Sequence, residues 1–491
     1  MASCLYLLLA FYITFSQAQP FKAVNLGNWL VTEGWMNPSI FDGIINKDLL
    51  DGTHVQLKST KLQKYLCAEN GGGTSLVANR SIPSDWETFR LWRINDTYFN
   101  LRVLNKQFVG LETQGNKLVA VSNTAGDPET FHIIRNTNDP TRVRFQASNG
   151  QLLQAQSETL VTADYGGSVS GWEDSDPSVF IINIVRTLQG EYQITNGYGP
   201  DKAPKVLQNE NTWIINAPIL CRKYGIKVIV DLHAAQGSQN GNEHSAARDG
   251  FQEWGDSYIQ DTVAVIDFLA ARYANRPSLA AIALMNEPQA PGISLDTLTK
   301  YYQAAYEAVR KYTQTAYVIL SNRLGPADPT ELLSFASTLN LVAIDVHYYN
   351  LFWDGFTKMS VQQNIDFIYN SRSNDLRKVT TTNGPLSFVG NSKIISYFNY
   401  IDEIGLCYNQ QIPARNHWAS FVVDCMMEFF AGEWTAEWNV KGASKEDYQK
   451  FAKAQQEVYG RATFGWAYWA YKCASRHWSL KWNIENNIIH P

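Results

Sequence analysis

Charged residues are scarce, making up only 18% of the 491 residues. Basic and acidic residues number 41 and 46, for a net charge of −5, which leaves no basic footprint for nucleic acid or an anionic membrane. Cysteine is sparse too. Six Cys are too few for a disulfide scaffold. With Cys4 in the N-terminal segment that reads as a signal peptide, Cys67, Cys221, Cys407, Cys425 and Cys473 remain, an odd set at scattered spacing that supports neither a metal cluster nor a disulfide framework. Beyond the N-terminus no apolar run approaches a membrane span. No Gly-rich phosphate turn is present. Hydrophobic content of 45% excludes disorder and coiled coil as the main character.

What is abundant is aromatic: 13% of the chain, with 15 Trp and 25 Tyr. Aromatics are core material first, but such an excess also suits stacking against flat apolar ring faces such as sugars present. Residues 5–15 form a short apolar run followed by Ser16-Gln17-Ala18, a small-x-small cleavage pattern. This reads as a signal peptide over 1–18, although the n-region lacks Lys and Arg; a buried N-terminal helix is the alternative. The expected location is therefore secreted, extracellular or cell wall. Asn79-Arg80-Ser81 and Asn95-Asp96-Thr97 are candidate N-glycan acceptors there.

Residues 53–185 carry a threefold repeat with a period of about 44 residues. Val55-Gln56-Leu57, Phe99-Asn100-Leu101 and Val143-Arg144-Phe145 open the units, and Phe89, Phe131 and Phe180 close them. Each unit holds four short strands between turn signals, which predicts a β-trefoil; a propeller needs about four blades or more. After Gly225 strand-like runs at 226–232, 279–284, 317–320, 341–346, 386–389 and 464–469 alternate with helical stretches such as 256–274, 295–311 and 445–459. Repeated βα units with polar residues just past each strand predict an α/β TIM-type (β/α)8 barrel, with a doubly wound sheet as the alternative. Residues 23–30 read as the first barrel strand. The trefoil is then an insertion between 19–52, the start of the barrel, and 186–491, its remainder.

Two carboxylates stand where such a barrel does chemistry. In Asn286-Glu287-Pro288 the proline ends the ladder and leaves Glu287 at the active face. Gly432-Glu433-Trp434 ends a second candidate strand. Cleaving a glycosidic bond needs one protonated carboxyl and one carboxylate at the anomeric carbon, and Glu287 with Glu433 is the best pair. Asp231-Leu232-His233 and Asp345-Val346-His347-Tyr348-Tyr349 place histidines at two further strand ends, suited to bonding sugar hydroxyls or orienting a carboxylate. Strand alternation in Gly465-Trp466-Ala467-Tyr468-Trp469 separates Trp466 and Tyr468 from Trp469.

These residues resemble glycoside hydrolase family 5, specifically plant glucan 1,3-β-glucosidases with an inserted fascin-like β-trefoil. The resemblance rests on VNLGNWLVTEGW (24–35), VDLHAAQGSQNG (230–241), LMNEP (284–288), DVHYY (345–349), GEW (432–434) and FGWAYWAYK (464–472). It implies an O-glycosyl hydrolase of the retaining, exo-acting type with no metal or other cofactor. It assigns the acid/base to Glu287 and the nucleophile to Glu433. Substrate contacts fall on Glu33, His233, Asn240, Asn286, His347, Tyr349 and Trp469. Glu287 is then expected to hold its proton through a raised pKa, with Asn286 bonding the sugar 2-hydroxyl.

Two departures bear on activity. Between the trefoil and residue 226 the family places a helix and a second barrel strand carrying an Arg, whereas 186–225 is too short for them, so the barrel reads as lacking its second βα unit. The stretch 391–431 interrupts the family's run from Phe388-Val389-Gly390 into Glu-Trp, and Gly432 duplicates Gly390. It reads as a translated intron or faulty gene model, with a functional lid as the alternative. If 386–389 keeps the seventh strand position, Glu433 returns only by a long loop, and the chain is expected to be poorly active. The functions in contention are hydrolysis of β-1,3-glucan from the non-reducing end, an endo-β-glucanase or β-mannanase, and a catalytically impaired secreted carbohydrate-binding protein. The expected partners are β-linked oligosaccharides, with the trefoil a candidate glycan binder and no nucleic acid or membrane. Actin bundling, suggested only by the fascin likeness, conflicts with the signal peptide.

Overall fold

A computed structural model describes residues 20–27, 35–36, 42–167, 170–186, 225–326, 328–380, 401–402, 406–407 and 428–490. The signal peptide, Glu33 and strand 386–389 lie outside these residues, as do most of 186–225 and most of 391–431.

After β1 (Phe21–Asn25) the chain builds three four-strand units: β2–β5 (His54–Ser59, Tyr65–Ala68, Leu76–Arg80, Thr88–Arg93), β6–β9 (Tyr98–Arg102, Phe108–Leu111, Leu118–Ser122, Thr130–Arg135) and β10–β13 (Arg142–Gln146, Leu152–Ser157, Leu160–Tyr165, Phe180–Arg186). Strands β2, β5, β6, β9, β10 and β13 pair in that order, and β13 returns to β2, closing a six-stranded ring. The remaining strands form one hairpin per unit. This is a trefoil rather than separate blades, and closure removes every edge from the ring. Phe89, Phe131 and Phe180 are fully buried among Val55, Phe99 and Val143, so the residues that mark the repeat are its core. Asn79 and Asn95 both lie on the trefoil and are partly exposed.

The second unit is a seven-stranded sheet ordered β1-β21-β20-β17-β16-β15-β14, built from β14 (Val228–Asp231), β15 (Leu279–Ala283), β16 (Tyr317–Ser321), β17 (Val342–Asn350), β20 (Glu428–Trp438) and β21 (Gly465–Trp469) with β1. A two-residue pair, β18 (Ile401–Asp402) and β19 (Leu406–Cys407), stands apart. Every pairing within the seven is parallel, with helices Ile259–Tyr273, Leu295–Arg310 and Lys445–Tyr459 crossing between strands. That is the TIM-type arrangement. Its open edges, β1 and β14, flank the position of the second strand, so among the described residues the barrel lacks that unit.

One expectation is corrected. The strand between β17 and β21 is β20 itself, paired to both. Glu433 therefore sits inside a strand of the sheet and is not carried back by a long loop.

Helix Leu295–Arg310 shows why these segments pack as they do. Ser294 caps it by accepting from Thr297 N–H, and its buried residues, Leu298, Tyr301, Tyr302, Ala305, Ala308 and Val309, recur at helical spacing. Tyr302 Oη reaches Ser321 O on β16 at 2.7 Å. Along β20 and β21, Trp434, Trp466 and Tyr468 turn outward into this helix-side layer, while Phe430, Phe464 and Ala467 face the barrel interior. Trp434 is fully buried, with ring centroids of Trp466 and Tyr468 at 5.3 and 4.8 Å. Removing that indole leaves a large cavity beside the candidate nucleophile. Trp434→Ala is expected to cost about 3–5 kcal/mol of unfolding free energy, read as a lowered midpoint in urea denaturation.

Candidate active site

The C-terminal ends of the strands converge on one cluster. On β17 the period-two alternation puts Asp345, His347 and Tyr349 on one face, opposite Ile344, Val346 and Tyr348, of which the last three pack in the helix-side core. Glu433 needs a further device. Val346 pairs with Ala431, but His347 pairs with Glu433, so Gly432 is an extra residue in β20. This β-bulge reverses the alternation: Phe430 faces inward, Ala431 outward, and after the bulge Glu433 inward and Trp434 outward. Only glycine fits there. A Cβ at 432 would lie 2.2 Å from Asp345 Oδ1, the atom that accepts Gly432 N–H at 2.8 Å.

Glu287 arrives differently. It lies beyond β15 with φ of +44°, a left-handed conformation that non-glycine residues adopt at a cost. The loop after β14 holds it there. Gln239 Nε2 donates to Asn286 O at 2.7 Å and Asn240 Nδ2 to Glu287 O at 3.0 Å.

The structure brings Glu287, His347 and Glu433 together, with one donor or acceptor atom of each within 4.8 Å of the others. His347 Nδ1 is 2.5 Å from Glu287 Oε1 and 3.3 Å from Glu433 Oε2. Its Nε2 is 3.2 Å from Asp345 Oδ2. Tyr349 Oη donates to Glu433 Oε2 at 2.6 Å. Two carboxylates and an imidazole are also donors a cation could take, but here they are turned on one another in hydrogen bonds. His233 is bonded to Asp231 at 2.9 Å and stacks on Trp469 with centroids 5.2 Å apart. Among the described residues Asn286 Nδ2 is buried with no hydrogen-bond partner, a donor available to a ligand. Asn240 spends its amide within the protein, accepting from Asn242 N–H as well as holding Glu287 O.

One residue of the cluster is absent from the sequence expectations. His244 Nε2 lies 2.8 Å from Glu287 Oε2. It sits mid-loop, with no strand end, motif or periodicity to mark it, so only the folded path of the chain exposes its role.

Proton affinities follow from these contacts. Burial alone would raise Glu287, but His347 and then His244 outweigh it and hold the carboxyl well below its ordinary value. Burial pushes Glu433 up to about 7 against the pull of His347, and the charge of Glu287 adds to the rise. Burial disfavours a charged His347, yet Glu433, Asp345 and Glu287 together raise it well above an ordinary histidine. The resting order is thus the reverse of the expected one, in which Glu287 holds the proton. Glu287 is in contact with two histidines, His347 at 2.5 Å and His244 at 2.8 Å, whereas His347 lies 3.3 Å from Glu433.

Comparison with known proteins places this geometry in context. A family profile described as cellulase (glycosyl hydrolase family 5) matches residues 182–475. A second, described as a domain of unknown function (DUF7910), matches 46–185. A glucan 1,3-beta-glucosidase of Yarrowia lipolytica is 22% identical over 292 residues, covering 58% of this chain and 66% of that protein. One from Blumeria graminis is 28% identical over 288 residues, covering 57% and 63%. The chain thus spans just under two-thirds of the length of these curated relatives. Among solved structures, a rutinosidase from Aspergillus niger aligns at 14% identity and a TM-score of 0.39, covering 57% of this chain and 72% of that one. A Macrolepiota procera ricin B-like lectin in complex with lactose aligns at 16% and 0.23, covering 27% and 96%.

Two measurements check the site. Gly432→Ala is expected to displace Asp345, costing about 1–3 kcal/mol of stability; urea unfolding compared with wild type reads this. The second concerns pH. With Glu433 raised from 4.5 to about 7, the native state binds a proton that the unfolded chain has released across that window, so native stability falls as pH rises through it. Glu433→Gln stays neutral, and its stability relative to wild type is expected to grow by up to about 3 kcal/mol between pH 5 and pH 8. A flat difference in thermal unfolding across that range would contradict the raised proton affinity.

Proposed function

From the premise that the chain belongs to glycosyl hydrolase family 5, we propose that it is a retaining β-glucan hydrolase that removes glucose from non-reducing ends. The observation that carries the reading is the approach of the Glu287 and Glu433 carboxylate oxygens to within 4.8 Å. Retaining enzymes hold their carboxyls about 5–5.5 Å apart, while inverting ones leave room for a water at about 6.5–9.5 Å.

In this reading Glu433 attacks the anomeric carbon and becomes esterified to the sugar, while Glu287 protonates the departing oxygen. Glu287 then takes a proton from water, which attacks the anomeric carbon and frees Glu433. Tyr349 Oη, bonded to Glu433, favours the ionised nucleophile. The unpaired Asn286 amide meets the 2-hydroxyl. Trp469, stacked on His233, supplies an apolar wall for a sugar ring. Turnover needs a proton on Glu287, the carboxyl that His347 and His244 hold below its ordinary value. His347 Nδ1, within 3.3 Å of both carboxylates, is the group placed to deliver one.

The β-1,3 linkage is supported by the names of the fungal relatives, and secretion by the N-terminal pattern. A glycan partner for the trefoil finds a cavity of about 420 Å3 lined by Trp172, Tyr165, Gln146 and Gln151. The edge left open between β1 and β14 among the described residues favours a second reading, a carbohydrate-binding protein without turnover.

Incubation with laminarin-derived oligosaccharides, followed by NMR of the first-formed anomer, tests the proposal. β-Glucose is expected first, with Glu287→Gln and Glu433→Gln each lowering kcat by at least about 100-fold. First-formed α-glucose would sink the retaining mechanism, and glucan binding without any product would select the second reading.

A further inference from the structure

The loop after β14 touches the candidate acid at one end and the trefoil at the other. Asp249 Oδ2 accepts from Trp92 Nε1 and from Arg102 Nη1, each at 2.7 Å. Arg102 also pairs with Glu253 at 3.1 Å. Arg248 bonds Asp51 at 2.9 Å and the carbonyl of Arg93 at 3.0 Å, and its guanidinium lies 4.2 Å from the Trp92 ring centroid. The guanidinium of Arg90 covers the Phe251 ring at 3.5 Å. Every one of these partners comes from the trefoil or from the segment leading into it. The side chains of Arg102 and Asp249 are 8% and 3% exposed, and a buried charge pair of this kind does not release one member freely.

The path from Asp249 back to His244 is short and stiff. A single helical turn, Glu243–Ser245, ends in Ala246 at a left-handed φ of 55°. Ser245 is fully buried, its hydroxyl bonded to Asn242 O at 2.8 Å. Further along, Gln252 Nε2 donates to the carbonyls of Gln239 and Gln289 at 2.9 and 3.0 Å, tying the trefoil-held end to the turn that carries Glu287. Among the groups facing His244 are Glu287, the Asn240 amide at 3.0 Å and the His233 ring at 6.0 Å.

We propose that the trefoil acts as a positioning domain for the candidate acid: by gripping Asp249, its Trp92 and Arg102 hold His244 against Glu287. His244 is a positioning residue, setting both the orientation of the Glu287 carboxyl and its hold on the proton. This gives the insertion point a physical sense. The trefoil leaves the barrel from the C-terminal end of β1, the end at which the cluster lies, and packs onto the loop that supports the acid.

The inference rests on the hydrolase reading, and the test separates the two. Two substrates are compared on the full chain: 2,4-dinitrophenyl β-glucoside, whose leaving group departs without a proton, and phenyl β-glucoside, whose leaving group needs one. Failure of the wild type on both substrates refutes the hydrolase reading itself. With wild-type turnover present, His244→Gln and Trp92→Phe are each expected to shift the ratio of the two kcat/KM values by about tenfold or more, against the phenyl substrate. Arg102→Lys, which keeps a donor toward Asp249, should restore most of the ratio lost in Arg102→Ala. A ratio unchanged in the folded variants, or equal losses on both substrates, would overturn the positioning role. Circular dichroism identifies a variant that fails to fold, and Arg102→Lys against wild type then carries the comparison for the trefoil side.

Discussion

The bulge at Gly432 determines which way the candidate nucleophile points, and the surrounding contacts depend on it. Without the extra residue, strict alternation from the inward Phe430 would send Glu433 into the helix-side layer and Trp434 into the barrel mouth. The bulge is held by bonds from the neighbouring strand β17 and from β1, which lies beyond β21. Asp345 on β17 accepts Gly432 N–H, and Asn25 on β1 donates to Gly432 O at 2.8 Å. Asp345 also faces His347, whose other nitrogen meets Glu287. One carboxylate thus links the backbone that aims Glu433 to the imidazole that touches Glu287, and it is buried, so water does not compete for either contact.

The two candidate carboxyls are fixed by different means. Glu433 is part of a strand paired on both sides, so its position follows from the sheet. Glu287 stands on a turn with an unfavourable backbone angle, and strained residues persist only where their surroundings over-determine them. Those surroundings are the loop carrying Gln239, Asn240 and His244, and that loop is itself gripped by the trefoil. In the proposed positioning role the all-β unit bears on the barrel's chemistry through a few buried polar contacts, whether or not it binds a ligand of its own.

The readable parts of the sequence were those with local signatures. The trefoil shows through its 44-residue spacing because each unit must contribute the same core aromatic, Phe89, Phe131 or Phe180. The barrel strands show because apolar runs end in Asp231, Asn286 and Asp345. The choice between 386–389 and the segment around Phe430 for the place beside β17 was not legible. Both are apolar runs ending in glycine, and pairing with β17 is a long-range event that no local pattern records. A one-residue bulge is equally silent. So is His244, which meets Glu287 only once the loop has been folded back by contacts with residues some 150 positions earlier, such as Arg102.

The proton order is the most instructive difference, because chemical role and resting state need not coincide. Sequence motifs point to Glu287 as the candidate acid by its place in the fold, yet its affinity for a proton depends on the histidines around it. His347 is 0.8 Å closer to Glu287 than to Glu433, and His244 meets Glu287 as well at 2.8 Å, so both histidines favour its ionised form. A sugar ring entering between the carboxyls would bring a glycosidic oxygen to Glu287 and an electron-poor carbon to Glu433. Both changes act in the same direction, giving the proton a partner on Glu287 and the negative charge a partner at Glu433. In the proposed reaction the substrate then favours the proton on Glu287, against the direction in which His347 and His244 pull it.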